Sequence, residues 1–418
     1  MKTIVLILLL SFGLFAQNER LNDRFSFLQQ VYFENSNGRY DSFLESELRA
    51  FLQKYPRFEQ ADQLMWMLAE VQRDAGQPFA ALLQYLKITT LFPKSRIAPE
   101  AQKKVKHLLT QTKNASLLEE RDTILTYMQG KKYFASPEEA VVDLYNFLFS
   151  LNVPKLNAPL LNDLNAYLGS CALQTNESGD ILLFLKGNLN ETLGHFATAE
   201  ADFRELMALY KKSLLRPEAL FRSAFLDYKY LNKLEDAKNA FVQIINSYPD
   251  NEIAPQAQFY LAELYADRLD SLNAGIDNYR LFVDAFPDHP LFRKAFKRLT
   301  LLLFKSKRYE EAVTLIGLHL NKHAQDSTFY ALVDSMAHIF VKRFKKYEYA
   351  ARCYVLLSTA NPKSTQSPYY LYKAARIYKI YLKDIGRAKD ICQRLRKNYA
   401  DSPYAVKCQL LIKKRVQK

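Results

Sequence analysis

Small residues recur along the second half of the chain at a nearly constant distance. Each step is 38 residues long, except for one step of 37. In most copies an aromatic or aliphatic residue follows four positions later, which places the two on one face of a helix. This period is typical of stacked helical hairpins. The small residues are Ala199, Ala237, Gly275, Ala312, Ala350 and Ala388.

A proline closes several of these repeats. Tyr248-Pro249, Phe286-Pro287 and Asn361-Pro362 stand eleven and twelve residues after the small residue, and the same offsets join Ala81 to Phe92-Pro93. Proline lacks a backbone N–H and stops a helix, so each repeat is predicted to run helix, turn, helix, stop. The pattern therefore predicts an all-α chain.

These features resemble the tetratricopeptide repeat, whose two-helix unit has small residues at the helix crossing, an aromatic one turn later and a closing proline. The resemblance covers Asn22 to about Ser402, with a period longer than the usual ~34 residues. It implies an α-solenoid that forms a right-handed superhelix, with about ten helix pairs and a C-terminal capping helix. The long repeats are similar to those of exported bacterial members that serve outer-membrane assembly or the Tol-Pal system.

One stretch fits the period poorly, because Pro137, Pro154 and Pro159 interrupt it. Ser136 followed by Pro137 still predicts a capped helix start there. We expect a joint between two solenoid segments around Thr175 to Gly179. The predicted segments are a signal peptide (1–16), N-terminal repeats (17–93), degenerate repeats (94–193), regular repeats (194–402) and a capping helix with a basic tail (403–418).

The N-terminus reads as an export signal. Lys2 precedes an apolar run that ends at Ala16, and polar residues follow directly. We therefore expect a periplasmic or extracytoplasmic protein, soluble or peripherally attached to the envelope. The formal net charge is +14, which favours anionic membrane, cell wall or acidic proteins as partners. Export makes nucleic acid the least expected partner.

Four cysteines are too few to form a disulfide framework that holds together a chain of 418 residues. Cys392 and Cys408 fall on successive predicted helices. They either pair in an oxidising compartment or remain buried free thiols, and the sequence leaves both alternatives open.

No motif in the sequence indicates catalysis or a cofactor. His319 and His323 stand four apart without an acidic ligand in register, so we expect surface histidines rather than a metal site. Glu177-Ser178 resembles the Glu-Ser pair of lytic transglycosylases, but it lies in a polar run that gives a catalytic acid no enclosing pocket. We therefore predict a chain that is not an enzyme and needs no cofactor.

In stacked hairpins the first helices line a concave face, so their solvent-exposed positions on that face are candidates for a binding groove. We take the residues three before and one after the small residue of each first helix. The alternative is that several of these rings belong to the core between repeats. The candidates are Phe221, Phe225, Phe259, Glu263, Phe296, Thr300, Asp334, His338, Tyr372 and Arg376.

These observations predict an interaction scaffold of the cell envelope, which binds peptide or helical segments of a partner protein in the groove. A role in outer-membrane or cell-wall assembly would follow from the resemblance alone. The alternative function is peripheral binding of an acidic polymer or a membrane surface through the basic face. A remote alternative is a superhelical protein similar to the lytic transglycosylases.

Overall fold

The computed structural model describes residues 20–413, apart from 36, 57, 131–132, 171–177 and 324. Within these residues there are 22 α-helices and no β-strand, which confirms the all-α solenoid. The predicted signal peptide and most of the predicted joint lie outside the described residues. The chain divides into two compact units, Met1–Asn232 and Lys233–Lys418. The finer segment boundaries predicted above stay predictions.

The first unit contains twelve of the described helices, and a π-helical turn, Asp227–Leu231, extends the last of them. Their bounds are α1 (20–34), α2 (Asp41–Lys54), α3 (Ala61–Asp74), α4 (Pro78–Leu91), α5 (Ala98–Gln111), α6 (Ala115–Glu119), α7 (Arg121–Gln129), α8 (Pro137–Ser150), α9 (Pro154–Ser170), α10 (Gly179–Thr192), α11 (Phe196–Leu209) and α12 (Arg216–Leu226).

The second unit contains the other ten, which form four consecutive hairpins between a leading helix and a closing one. Their bounds are α13 (Leu234–Ser247), α14 (Ala254–Asp267), α15 (Leu272–Ala285), α16 (Phe292–Lys305), α17 (Tyr309–Lys322), α18 (Ser327–Lys342), α19 (Tyr347–Ala360), α20 (Ser367–Ile380), α21 (Ile385–Asn398) and α22 (Pro403–Lys413).

The periodic small residues lie where helices pack most closely. The alanines of this series are fully buried, and Gly275 is buried as well. A Cβ on Gly275 would stand 2.8 Å from the Cβ of Ala266 and 3.0 Å from its backbone, so only hydrogen fits there. The closing prolines also act as predicted, since α13, α15 and α19 each end two residues before one. Small residues and prolines thus define the repeat.

A residue in the left-handed backbone conformation, with a positive φ, marks the turn inside the hairpins. It stands five residues before the small residue in each regular copy and ends the first helix. At Lys307 (φ 62°) the next N–H, that of Arg308, donates to the carbonyl of Leu303 at 2.8 Å and closes the helix end. Glycine adopts this conformation without strain, but later copies use other residues. The series is Gly38, Gly76, Gly194, Asn232, Asp270, Lys307, Lys345 and Lys383.

The poorly periodic stretch is helical, as expected. The Ser136 hydroxyl accepts a hydrogen bond from the Glu139 N–H at 3.1 Å and caps α8, which confirms the predicted start. Behind it, the buried Asp163 carboxylate accepts hydrogen bonds from Lys87 at 2.9 and 3.0 Å, from Gln84 at 3.0 Å and from the Tyr145 hydroxyl. Burial raises the pKa of Asp163, but the Lys87 ammonium outweighs it and holds the pKa below its usual range.

The last hairpin is tied to the closing helix. Cys392 of α21 and Cys408 of α22 form a disulfide, with their Cα atoms 5.5 Å apart. The buried Lys379 of α20 donates to the carbonyl of Leu411 in α22. Of the two alternatives for these cysteines, the structure thus has the pair.

Candidate functional site

The candidate groove residues on the first helices do not share one environment. Phe221, Phe259, Phe296 and Thr300 are buried. The expectation that they line an open groove therefore needs correction at these four positions. A residue three before the small residue lies on nearly the same side of the helix, so it faces the core with it.

Phe259 shows how this surface is filled. Its ring packs edge-on against Tyr279 and Phe282, with centroid distances of 5.7 and 5.8 Å. The Lys294 ammonium lies 4.6 Å from the ring centroid and 3.1 Å from the Glu263 carboxylate. Side chains of α15 in the same hairpin and Lys294 of the next hairpin thus cover the ring, and Lys294 neutralises the acid that was expected to meet a partner.

The candidates Phe296 and Thr300 on α16 behave in the same way. The Phe296 ring lies 5.1 Å from His319 and 5.0 Å from Phe329, measured between centroids. The Thr300 hydroxyl donates to the Phe296 carbonyl at 2.8 Å, so its polar group is satisfied within the helix. These two residues stabilise the packing between hairpins.

The other six predicted positions retain some exposure. Asp334 accepts a hydrogen bond from Lys373 at 2.7 Å, and that ammonium also lies over the rings of Tyr354 and Tyr369. Partner binding at the six positions stays a prediction. Phe225, Glu263, Asp334 and Tyr372 are half-buried, and His338 and Arg376 are exposed.

An open groove lies instead on the second helices of the second unit. It measures about 720 Å³, which is within the range of ligand-binding pockets. Its floor is apolar, and Leu318 within it is 51% exposed. The floor consists of Val313, Gly317 and Leu318 from α17, Val355 and Leu356 from α19, and Ile391 from α21. Thr314, Arg352, Tyr378, Arg387 and Asp390 complete the lining.

Gly317 helps to keep the groove open. The methyl groups of Leu356 lie 3.5 Å from where a Cβ on this glycine would stand, which is ordinary van der Waals contact. Alanine would therefore fit at this position, whereas a branched side chain would extend into the groove or displace Leu356. One residue of α17 thus controls how much apolar floor a partner can reach.

Two arginines are held at the rim by carboxylates of the preceding hairpin. Arg352 donates to both carboxylate oxygens of Glu310 at 2.8 Å, and this hydrogen bonding raises the pKa of Arg352 above its ordinary value. Arg387 donates to Glu348 at 2.6 Å and lies 5.6 Å from the Tyr378 ring centroid. The rim therefore presents oriented guanidinium groups beside an apolar floor, which suits apolar side chains flanked by carboxylates.

The sequence analysis predicted that His319 lies at the surface. The structure shows that this prediction is wrong. It is buried among Phe292, Phe296 and His323, and neither ring nitrogen has a hydrogen-bond partner among the described residues. Burial, with smaller contributions from Lys322 and His323, lowers the pKa of His319 to about 4. The imidazole is thus neutral at physiological pH.

The described residues contain neither a metal-ligand cluster nor a membrane-spanning helix. No cluster of three or more His, Cys, Asp or Glu residues in this part of the chain has the geometry to hold a metal ion. No helix between residues 20 and 413, in the stretches that the structure describes, combines the length and apolarity needed to span a bilayer. Glu177, the candidate catalytic acid, lies outside the described residues.

The comparison with family models identifies the repeat. The tetratricopeptide repeat model matches residues 218–251 and 369–402, two segments that lie four repeat lengths apart. These two segments of the chain are similar to tetratricopeptide repeats. Repeats of this kind stack into extended surfaces that bind other proteins. No curated protein matches the sequence at a significant level.

Solved tetratricopeptide structures overlap with the chain only loosely. A tetratricopeptide repeat protein from Parabacteroides merdae is 14% identical, with 66% of this chain and 99% of that chain covered and a TM-score of 0.38. Pseudomonas aeruginosa PilF is 15% identical, with 56% of this chain and 97% of that chain covered and a TM-score of 0.31. The Rap conjugation gene regulator of plasmid pLS20, solved with the Phr* peptide, is 14% identical. The match covers 80% of this chain and 93% of that chain, with a TM-score of 0.34. Overlap at this level identifies no function.

Proposed function

We propose that this tetratricopeptide repeat chain is a non-enzymatic scaffold of the bacterial cell envelope, and that the groove on α17, α19 and α21 binds an amphipathic helix of a partner protein. The observation that carries the proposal is the apolar floor with Arg352 and Arg387 at its rim. An amphipathic helix lays its apolar side chains into such a groove, and its flanking carboxylates accept hydrogen bonds from the guanidinium N–H groups that Glu310 and Glu348 do not use.

Two features support an envelope location. The apolar run that ends at Ala16 has the pattern of an export signal. The pair between Cys392 and Cys408 is of a kind that persists in oxidising compartments outside the cytoplasm. We expect N-terminal sequencing of the protein recovered from its native host to begin at Gln17. Recovery of the chain from the cytoplasm with Met1 or Lys2 at its N-terminus would contradict export.

Site-specific crosslinking tests the groove directly. We expect p-benzoylphenylalanine at Leu318, in the groove floor, to give a discrete crosslinked partner in living cells. The same probe at Leu281 of α15 is the matched control, since this leucine is 60% exposed but lies outside the groove. Identical adducts from both positions, or none from Leu318, would rule out a binding groove here.

Groove-filling variants then test whether the partner occupies the floor. Gly317→Leu places a branched side chain against Leu356 and should abolish the Leu318 adduct. Gly317→Ala fits within ordinary contact distance and should retain it. Thermal unfolding of both variants measures whether the fold is intact. An adduct that survives Gly317→Leu in a folded protein would show that the partner does not bind in the groove.

A further inference from the structure

The positive charge of the chain is concentrated at its C-terminal end. Residues 361–418 hold 15 of the 58 Lys and Arg residues, but only 3 of the 44 Asp and Glu residues. This last part of the sequence therefore supplies 12 of the 14 net positive charges, and the rest of the chain is close to neutral. The basicity of the protein is thus a property of α20 to α22 and the residues that follow, not of the whole surface.

Much of this charge is exposed and unneutralised. Lys389 and Arg396 of α21, and Lys407 and Lys413 of α22, are exposed and form no ion pair with a described residue. Arg352 of α19 and Arg387 of α21 differ from these four cations, because each pairs with a glutamate of the hairpin before. No further hairpin follows α22 within the described residues to provide such glutamates.

Apolar side chains are exposed beside these cations. Val406 and Leu410 of α22 are 58% and 55% exposed, and Ile385 of α21 is 46% exposed. Val406, Leu410 and Lys413 follow one another by four and three residues, so they form one stripe of α22. The disulfide at Cys408 lies on the opposite side of the helix and fixes that side to α21.

The positions on α21 continue this surface. Ile385, Lys389, Cys392 and Arg396 are spaced by four, three and four residues, which puts them on one stripe of the helix. Cys392 in this stripe is bonded to α22, so the exposed isoleucine and cations flank the closing helix. A helix that merely caps a solenoid presents a polar outer face. This one instead combines aliphatic side chains with cations.

We propose that the outer face of α22, with the adjoining stripe of α21, binds the surface of an anionic phospholipid bilayer. The Lys and Arg side chains pair with lipid phosphates, and Val406 and Leu410 enter the boundary between headgroups and acyl chains. Nucleic acid or an acidic polymer would match the charge but leave the aliphatic side chains without an apolar partner. A second copy at this same face is opposed by repulsion between two strongly cationic surfaces.

Vesicle binding tests the proposal on the purified full-length chain. We expect co-sedimentation with vesicles of phosphatidylcholine and phosphatidylglycerol, and little with phosphatidylcholine alone. Because each cation near an anionic surface contributes substantially to binding, the triple variant Lys407→Gln, Leu410→Gln, Lys413→Gln should bind at least about tenfold more weakly. Binding by the unaltered chain should also weaken in about 1 M NaCl, where the screening length is about 3 Å.

A matched triple variant distinguishes this face from basicity in general. Lys211→Gln, Lys212→Gln, Leu214→Gln likewise removes two lysines and one leucine, from an exposed segment of the first unit. It should bind vesicles as the unaltered chain does. Equal losses in both triples, or equal binding to neutral vesicles, would overturn the proposal.

Three further measurements complete the test. The double variant Lys389→Gln, Arg396→Gln should weaken vesicle binding although it leaves the sequence of α22 unchanged. Its loss of binding therefore cannot come from a folding defect in the closing helix. Gly317→Leu should leave vesicle binding intact, which makes the outcome independent of the proposed groove function. Concentration-dependent association in light scattering that Leu410→Gln abolishes, together with no vesicle binding, would assign the face to a second copy instead.

Discussion

Helices α4, α8 and α9 in the first unit and α14 to α21 in the second are held together by different chemistry. The first set packs around a buried carboxylate, Asp163, whose partners are 18 to 79 residues away in sequence. The second packs through aromatic rings, such as Phe304 and Phe340, which stack with centroids 3.5 Å apart. Aromatic packing repeats with the hairpin and leaves a period in the sequence, whereas a polar cluster is built once and leaves none.

The largest effect should follow from removing the carboxylate at the centre of the polar cluster. Asp163→Ala leaves the Lys87 ammonium buried without its partner, and we expect a loss of about 3 to 5 kcal/mol in the free energy of unfolding. Urea unfolding measures the loss, and hydrogen exchange of α4 and α9 localises it. The double variant Lys87→Met with Asp163→Leu should lose less than Asp163→Ala. A double variant as unstable as the single one would mean that the charges themselves do not matter.

His319 is a polar exception within the aromatic unit. Its pKa of about 4 in the folded chain lies below the ordinary value of about 6.5, so the unfolded state takes up the proton first as the pH falls. The free energy of unfolding should therefore decrease between about pH 6.5 and pH 4, by about 3 kcal/mol from this residue. His319→Leu should remove that part of the decrease, as read from urea unfolding near neutral pH and at about pH 4.5.

The neighbouring charges set the control for this measurement. Lys322, His323 and Asp284 also act on His319 and remain in the variant. His338→Leu changes an exposed histidine of α18 and should retain the full pH dependence. The same pH dependence in His319→Leu and in the unaltered chain would show that the buried imidazole contributes nothing to it.

One substitution, glycine to alanine, should change the stability in opposite directions at Gly275, which belongs to the small-residue series, and at Gly386, which does not. Gly275→Ala adds a methyl group that meets the backbone of Ala266, and we expect a loss of about 1 to 3 kcal/mol although alanine favours helix. Gly386→Ala meets only the Asp384 carboxylate at 3.5 Å and should stabilise the chain by less than about 1 kcal/mol. Thermal unfolding compares the two. A stabilising Gly275→Ala would show that the helices do not approach as closely as described.

The smallest effect concerns the hairpin turns. Lys345 has a φ of 53°, a conformation that glycine adopts without strain, so Lys345→Gly should stabilise the chain by about 0.5 to 1 kcal/mol. Lys342→Gly lies in the last turn of α18 and should destabilise it by about 1 kcal/mol. The difference between the melting temperatures of the two variants is the measurement. If both lower it equally, the left-handed turn stores no strain.

The sequence predicted what the repeats share. Buried alanines such as Ala237 and Ala350, and helix ends before Pro249 and Pro287, follow from spacing because every copy meets the same neighbours. The cluster around Asp163 could not be predicted, since its members come from helices with no common period. The capped start of α8 was predictable because Ser136 acts on its own helix.

The candidate site was harder to predict. The spacing placed Phe259 and Phe296 on the correct helices, but not on the correct side of the boundary between groove and core. The groove around Gly317 was missed because its floor comes from three second helices, whereas the candidates were taken from the first helices alone. The left-handed turns at lysine positions were missed for another reason, because lysine is not a residue type that indicates a turn. Its offset of five from the small residue was the available clue.

The disulfide between Cys392 and Cys408 affects how the array comes apart. A linear repeat protein frays from its ends, because a terminal helix has neighbours on one side only. Here the last helix is covalently joined to the hairpin before it, so α21 and α22 cannot detach one after the other. Opening from this end therefore requires both helices to leave together while the bond is intact, and its reduction turns one cooperative step into two.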